Sequence, residues 1–219
     1  MSGPLPVVVL VSGRGSNLRA IDARIAAGDL PARILAVLSD REDAAALAWA
    51  AERGLATGAV PQRQYADRAA FDAALGNVIA GYAPALVVLA GFMRLLSPVF
   101  VKAYSNRIMN IHPALLPAFP GLNVQQKAVE YGVRFSGCTV HFVNEECDEG
   151  PIIIQAVVPV FADDTGETLA ARILEQEHRI YPRAIQLFAE GRLTVVGRKV
   201  SVDGLVKDVQ ALIQPPLEK

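Results

Sequence analysis

Hydrophobic residues in this chain gather in short continuous runs that are separated by amphipathic stretches. Continuous apolar runs are typical of strands buried on both faces, and their alternation with helical patterns predicts βαβ units around a parallel sheet. The runs predict strands at residues 6–11, 32–39, 57–60, 85–89 and 107–111. The amphipathic stretches between them predict helices at 17–27, 44–53 and 68–82.

The pattern changes in the second half of the chain. Two apolar runs, 138–143 and 152–160, are separated by only a short acidic loop, which permits an antiparallel pair. A long helix is predicted over 167–190, with Thr165 and Thr168 as capping residues and Gly191 as its stop. We expect one α/β domain over residues 1–200, with a mostly parallel central sheet flanked by helices and an antiparallel C-terminal portion. Residues 201–219 form a loosely patterned tail.

Composition narrows the classes of function. The 219 residues are 52% hydrophobic and carry a net charge of −1, with both signs interspersed, so nothing marks a nucleic-acid or membrane partner. The two cysteines, Cys138 and Cys147, are too few for a disulfide scaffold and match no zinc spacing. We recognise neither a run long enough to span a bilayer nor a secretion signal. These features favour a cytoplasmic protein whose partners are small molecules.

The most informative stretch contains Asn110, His112 and Pro113. In an extended strand Asn110 and His112 share a face, so an amide donor and a titratable imidazole project into one space. Pro113 cannot continue a central strand, which puts the pair at a strand end, where open α/β sheets bind ligands. Two such groups could hold a developing oxyanion.

A glycine-rich segment follows the first strand and opens the first helix: SGRGSNL, residues 12–18. Glycines permit a tight turn, and free amides together with the helix dipole favour an anion there. The segment lacks the Lys-Ser/Thr ending of a Walker A loop and the third glycine of the dinucleotide fingerprint, so a monophosphate suits it best. The alternative is an ordinary strand-to-helix turn capped by Ser16 or Asn17.

Two further segments are candidates. The apolar residues of LAGFMRLL, 89–96, could line a slot for a flat ring, although such stretches are more often core. Most carboxylates of the acidic loop NEECDEGP, 144–151, should be solvated. We select Asp148, because within reach of His112 it would favour the imidazolium and create a proton carrier. His141 and His178 are expected to be structural or supporting. No catalytic metal is expected, because no His-Glu-x-x-His pattern occurs.

Together these motifs resemble the phosphoribosylglycinamide formyltransferase family over about residues 6–200. The resemblance rests on six motifs in family order: SGRGSNL at 12–18, AGFMR at 90–94, NIHPALLP at 110–117, GCTVHFV at 137–143, DEGPII at 148–153 and EQEHRIYP at 175–182. It implies a Rossmann-like formyltransferase fold, with a phosphate- and nucleotide-binding N-terminal half and a folate-binding C-terminal half. It also implies formyl transfer from the co-substrate 10-formyltetrahydrofolate to the amine of glycinamide ribonucleotide, in purine (IMP) biosynthesis, without a metal.

The resemblance also implies roles for individual residues. Asn110 and His112 would stabilise the oxyanion, and Asp148 would assist proton transfer. The ribonucleotide would be held by Gly15, Ser16, Asn17 and Glu177. Folate would contact Arg68, Met93, Arg94, Leu95 and Leu96, with its pterin ring against the backbone of Asn144, Glu145, Glu146, Cys147 and Asp148. Both a monomer and a homodimer remain open.

One loop departs from the commoner family pattern. Many members carry a histidine where this chain has Leu122-Asn123-Val124-Gln125. Because residues 118–132 are rich in glycine and proline at their start, we expect this loop to be mobile without ligand and to close over substrate.

Other functions use a similar core, since a fold does not determine its function. A methionyl-tRNA formyltransferase would be longer, with a C-terminal nucleic-acid-binding domain. A formyltetrahydrofolate deformylase would usually carry an N-terminal regulatory domain and would not need a phosphate loop. A catalytically silent folate- or nucleotide-binding module is the third alternative, against which the intact trio argues.

Overall fold

The computed structural model describes residues 3–205, 212 and 214. Its strands are β1 (Leu5–Val11), β2 (Ala32–Ser39), β3 (Thr57–Ala59), β4 (Leu86–Leu89), β5 (Ile108–His112), β6 (Phe135–Phe142), β7 (Ile152–Pro159), β8 (Leu193–Val196) and β9 (Lys199–Val202). Its helices are α1 (Ser16–Ala26), α2 (Ala45–Glu52), α3 (Arg68–Tyr82), α4 (Pro98–Ala103), α5 (Val124–Tyr131) and α6 (Gly166–Ala189).

The strands form one sheet in the order β3-β2-β1-β4-β5-β6-β7-β9-β8. The pairs from β3 to β5 are parallel, whereas β5–β6, β6–β7 and β8–β9 are antiparallel. The predicted fold class is therefore confirmed, and each predicted strand and helix is present. Helices α4 and α5 and the β8–β9 hairpin were not predicted from the sequence. Strand β9 continues two residues into the predicted tail, and residues 206–211, 213 and 215–219 of that tail lie outside the described part of the chain.

Alternation along the central strands builds a core on each face of the sheet. Val7, Val9 and Val11 of β1 pack in a cluster with α1 and α6, whereas Val8 and Leu10 pack in a second cluster with α3 and α4. Each fully buried side chain of this size contributes roughly 1.5–3 kcal/mol. This double-sided burial explains why the strand sequences are continuously apolar, and it divides the carboxyl edge into an α1/α6 side and an α3/α4 side.

Helix α6 ties the α1/α6 side to the strand ends that carry the site. Thr165 and Thr168 form a reciprocal capping box at its start, and Gly191 follows it with φ +68°, so both predicted ends are confirmed. The hydroxyl of Tyr181, fully buried, lies 3.0 Å from the carbonyl oxygen of Leu89 and 2.8 Å from that of Met109. The helix is therefore fixed against the last residue of β4 and the second residue of β5.

Candidate functional site

The site lies where β1, β4 and β5 end side by side. The chain continues from β1 to β2, which lies on one side of β1 in the sheet, whereas β4 lies on the other side. The connections therefore diverge at this edge, as they do at ligand sites of open α/β sheets. The amide of Ser12 donates to the carbonyl of Gly91 at 3.0 Å, and the Ser12 hydroxyl accepts from the amide of Met93 at 2.9 Å. The glycine-rich segment and the segment after β4 are thus joined.

The glycine-rich segment makes the predicted tight turn, and no side chain caps the helix that follows. The N-cap of α1 is Gly15, at φ 75°, so the structure does not bear out the alternative of an ordinary turn capped by Ser16 or Asn17. A side chain at Gly15 would place its Cβ 2.7 Å from Cβ of Ala46, because α2 packs against the turn. This position therefore requires glycine, and the first amides of α1 stay free for an anion.

Asn17 turns away from the backbone toward α6. Its Nδ2 donates to Oε2 of Glu177 at 2.7 Å, and both residues are 7% exposed. Burial raises the pKa of the Glu177 carboxyl, and this effect is opposed by the Asn17 hydrogen bond and by the proximity of His112. The amide oxygen of Asn17, Oδ1, is buried without a partner among the described residues. The pair offers a carboxylate and an amide oxygen as acceptors for a ligand that donates hydrogen bonds.

Asn110 and His112 share a face of β5, as the alternation predicts. Met109 and Ile111 pack in the cluster with α1 and α6, whereas Ile108 packs in the other cluster, so the pair faces the α3/α4 side. Cross-strand register places His141 of β6 opposite Asn110. Nδ2 of Asn110 lies 3.2 Å from Nε2 of His141.

His112 has a neighbour at each ring nitrogen. Its Nε2 lies 2.8 Å from the carbonyl oxygen of Phe119, and its Nδ1 lies 3.5 Å from Oδ2 of Asp148. Asp148 also accepts from the amide of Gly121 at 2.9 Å, and its Oδ1 is 3.9 Å from Nε2 of His141. The structure thus brings the predicted trio together and adds His141 between Asn110 and Asp148.

Local packing explains why the acidic loop returns to this place. A Cβ at Gly150 would lie 1.7 Å from the carbonyl oxygen of Phe142, so only glycine lets the loop fold back against the end of β6. On the other side, the buried hydroxyl of Thr139 donates to the carbonyl of Ala114 at 2.7 Å and accepts from the amide of Leu116 at 3.1 Å. These contacts hold the segment after His112 over β6.

The residues expected to contact folate differ in exposure. Met93 and Leu95 are 62% and 58% exposed, while Leu96 is buried beside α3. Arg94 is paired with Asp40, and Arg68 is exposed at the start of α3. In the acidic loop Glu145, Glu146 and Cys147 are exposed and Asn144 is half-buried. Exposed apolar side chains beside a polar trio are suited to cover a flat ring.

Two groups of contacts escaped the sequence analysis. His141 was expected to be structural or supporting, but its contacts with Asn110 and Asp148 could have been found only from the register of β5 and β6. Asp40 was not considered at all, since its partner Arg94 lies 54 residues away. Across the residues that the structure describes, no group of three or more His, Cys, Asp or Glu side chains is placed to hold a metal ion. No described helix is long and apolar enough to cross a membrane.

Comparisons with known proteins agree with this geometry. The phosphoribosylglycinamide formyltransferase of Escherichia coli is 46% identical over 198 residues, which is 90% of this chain and 93% of the relative. A glycinamide ribonucleotide transformylase structure from Symbiobacterium toebii has a TM-score of 0.90 at 50% identity and covers 92% of this chain and 95% of its own. A formyltetrahydrofolate deformylase structure from Burkholderia mallei has a TM-score of 0.83 at 32% identity, covering 91% of this chain and 70% of its own. The Formyl transferase family model matches residues 5–185, and the chain belongs to that family.

Proposed function

We propose that this chain transfers the formyl group of 10-formyltetrahydrofolate to the amine of glycinamide ribonucleotide, giving formylglycinamide ribonucleotide and tetrahydrofolate in purine biosynthesis. The observation that carries the proposal is the contact of His112 with Asp148, 3.5 Å apart, beside Asn110 and between a glycine-rich turn and an exposed apolar segment. These polar groups lie between the α1/α6 side, which would anchor the amine substrate, and the α3/α4 side, which would bind the folate ring. The relatives at 46% and 50% identity carry names of this activity.

The α1/α6 side would hold the ribonucleotide. The amides of Gly15, Ser16 and Asn17 would bind its phosphate at the start of α1, where the helix dipole favours an anion. Glu177 would bind the glycinamide end near its amine. The buried Asn17–Glu177 contact supports this assignment, because it turns a carboxylate toward the trio and leaves Asn17 Oδ1 free for a donor.

The α3/α4 side would hold folate. The proposed contacts are Arg68, Met93, Arg94, Leu95 and Leu96, with the backbone of Asn144, Glu145, Glu146, Cys147 and Asp148 around the pterin ring. Exposure of Met93 and Leu95 supports this, since a bound ring would remove both from water. We retain the single domain over residues 1–200 as a proposal. The proposed contacts of each ligand are not confined to one half of this domain. Met93, a folate contact, lies in the N-terminal half, and Glu177, a ribonucleotide contact, lies in the C-terminal half.

The chemistry requires donors for a developing negative charge. When the amine attacks the formyl carbon, charge gathers on the formyl oxygen of a tetrahedral intermediate. Asn110 Nδ2 carries two hydrogens, and with one directed to His141 the other can reach that oxygen. His112, when protonated, supplies the second donor.

The loop after His112 has to move for this role. With Nε2 beside the Phe119 carbonyl and Nδ1 facing Asp148, His112 has no ring nitrogen free for substrate. Phe119 and Asn123 both have positive φ, 52° and 58°, an unfavourable conformation for residues with a Cβ. We propose that residues 118–123 withdraw the Phe119 carbonyl when substrate binds, and that the formyl oxygen takes its place.

Asp148 would assist transfer of the proton from the attacking amine to the departing folate nitrogen. No covalent enzyme intermediate is needed. Burial, with a smaller effect from Glu177, raises the pKa of Cys138 to about 12, and burial also raises the pKa of Cys147 beside Asp148. Neither thiol is therefore suited to act as a nucleophile.

A formyl-transfer assay with and without the amine acceptor tests the proposal. We expect tetrahydrofolate release from 10-formyltetrahydrofolate only when glycinamide ribonucleotide is present. Release without any acceptor would indicate a deformylase, and transfer of the formyl group to methionyl-tRNA would indicate a methionyl-tRNA formyltransferase. Binding of either ligand with no release under any condition would indicate a silent binding module. Each of these three results would overturn the proposal.

We further propose that the protein works in the cytoplasm, without nucleic-acid or membrane partners, as a monomer or homodimer. The dispersed charge and the small-molecule site support the choice of partners. Light scattering during size-exclusion chromatography would distinguish the two assemblies, and fluorescent tagging would test the compartment.

A further inference from the structure

A second cleft, of about 700 Å³, opens beside the folate side of the site. It lies at the ends of β2 and β4 and is lined by charged residues from three segments: Asp40, Arg41, Glu42 and Asp43, then Arg63, then Arg94. We call it the β2 cleft. Two of its arginines are engaged by exposed acids, since Arg41 bonds Asp43 at 2.8 and 3.0 Å and Arg63 bonds Glu42. Exposed pairs of this kind are weak and exchange readily with a ligand.

The third arginine differs because its partner is buried. Nε of Arg94 donates to Oδ2 of Asp40 at 2.6 Å, and the side chain of Asp40 is 1% exposed against 40% for Arg94. A buried carboxylate holds its cation firmly, because losing that partner would leave an unpaired buried charge. The bond uses Nε alone, so both Nη groups of Arg94 remain for an anion in the cleft.

Asp40 is also unlike the acid of a dinucleotide site. An acidic residue after the second strand commonly binds a ribose hydroxyl in such folds. Here the guanidinium of Arg94 occupies Oδ2, and Oδ1 is buried without a partner among the described residues. The carboxylate is therefore turned to the arginine and withdrawn from the open cleft.

The proposed folate contacts would bring an anion to this arginine. With the pterin ring at the loop after β6, the molecule would extend past Met93 toward β2. Strands β6 and β2 are four spacings apart in the sheet, roughly 19 Å at about 4.8 Å per spacing. The end of folate opposite the pterin is a glutamyl group with two carboxylates, which match the planar donors of a guanidinium.

We propose that Asp40 is a positioning residue that holds Arg94 at the β2 cleft to receive the glutamyl carboxylates of the folate co-substrate. The inference rests on the proposed function for the identity of the ligand. Preorganising the guanidinium lowers the entropy cost of binding, so Asp40 acts on affinity for the glutamyl end and leaves the chemical step unchanged.

Calorimetric binding of tetrahydrofolate and of tetrahydropteroate, which lacks the glutamyl group, tests the proposal. Asp40→Ala should weaken tetrahydrofolate binding about tenfold and leave tetrahydropteroate binding within about twofold. Asp40→Asn should restore most of the affinity, because its amide oxygen still accepts from Nε of Arg94. Asp43→Ala is the matched control: it removes an exposed acid of the same cleft and should change neither affinity.

Kinetics supply a second measurement. Asp40→Ala should raise KM for 10-formyltetrahydrofolate about tenfold with kcat unchanged, since only binding loses a contact. Equal loss of affinity for both folates, or no loss for either, would overturn the inference. If Asp40→Ala does not fold, Asp40→Ser carries the same test, because its hydroxyl is too short to reach Arg94. Binding is measured without the amine, so failure of formyl transfer would overturn the proposed function and leave this result independent.

Discussion

Nδ2 of Asn110 lies 3.2 Å from Nε2 of His141, and Nδ1 of the same ring lies 3.0 Å from the carbonyl oxygen of Phe142. Because a carbonyl can only accept, Nδ1 carries the proton of the neutral ring and Nε2 is left as an acceptor. Burial lowers the pKa of His141, which favours the neutral ring, although Phe142 and Asp148 oppose this effect. The ring therefore orients the Asn110 amide so that its nitrogen, not its oxygen, faces the reaction.

Asn110→Ala tests the oxyanion donor directly. Removing one such donor typically lowers kcat by about 100- to 1,000-fold, because the interaction is made with charge that develops only in the transition state. We expect a loss in this range, with KM for both substrates little changed, in steady-state assays. A circular dichroism spectrum matching the parent protein is the control for folding. Unchanged turnover would remove Asn110 from the mechanism.

His141→Ala should release the Asn110 amide without removing it. We expect kcat to fall about tenfold, which corresponds to losing about the net free energy of one hydrogen bond. In the double variant with Asn110→Ala, the second change should cost nothing further, because His141 acts through Asn110. His178→Ala, at a half-buried histidine of α6, is the matched control. Additive losses in the double variant would show that His141 acts independently.

How well the sequence predicts a contact in this site depends on how far apart the two residues lie along the chain. Asn110 and His112 lie on one strand, so alternation alone places them together. Asp148 reaches them because Gly150, where a Cβ would lie 1.7 Å from the carbonyl oxygen of Phe142, allows the loop to fold back, and no local pattern encodes that return. The Asp40–Arg94 pair depends on β2 and β4 both flanking β1, which is a property of the sheet order.

The missed elements have similar physical causes. Helix α4 begins with Ser97 as N-cap and Pro98 in its first turn, which is an ordinary start signal, but the helix is only six residues long. Helix α5 instead starts after Asn123, which has φ 58° and makes no side-chain cap, so its start carries no ordinary signal. Half-exposed strands β8 and β9 alternate over only four residues each, too short a pattern to distinguish from a tail.

Asp148→Asn tests the proton-transfer role. The amide oxygen can still accept from Gly121, so the loop should keep its place, but the charge beside His112 is lost. General acid–base groups contribute about 100- to 10,000-fold, and we expect kcat to fall at least about 100-fold. The control is Glu149→Gln, which removes the neighbouring exposed carboxylate that lies 3.5 Å from Arg198. If the two variants retain equal activity, Asp148 has no catalytic role.

Gly15→Ala tests the phosphate turn. The new Cβ would lie 2.7 Å from Cβ of Ala46 in a residue held at φ +75°. A left-handed conformation alone costs about 1–2 kcal/mol, so the melting temperature should fall by roughly 2–8 °C. KM for the ribonucleotide should rise as the turn shifts. Gly13→Ala is the matched control for stability, since its Cβ would meet no described atom within 4 Å. Equal melting temperatures for both variants would contradict the packing argument.

Glu177→Gln separates the stability of the site from its function. Burial raises the pKa of Glu177 in the folded protein above its ordinary value of 4.5, so the folded state binds this proton more tightly than the unfolded state does. That contribution to stability is fully present below pH 4.5 and is lost as pH rises through the raised pKa. The neutral glutamine can still accept from Asn17 and does not carry the penalty of a buried charge.

The variant should therefore melt at a higher temperature than the parent protein at pH 8, with a smaller difference at pH 5. Its KM for glycinamide ribonucleotide should rise about tenfold or more, since an acceptor near the amine loses its charge. Scanning calorimetry at the two pH values and steady-state kinetics measure the two effects. Greater stability without impaired amine binding would show that the buried carboxylate serves some other purpose. A melting difference independent of pH would show that its ionisation does not control stability.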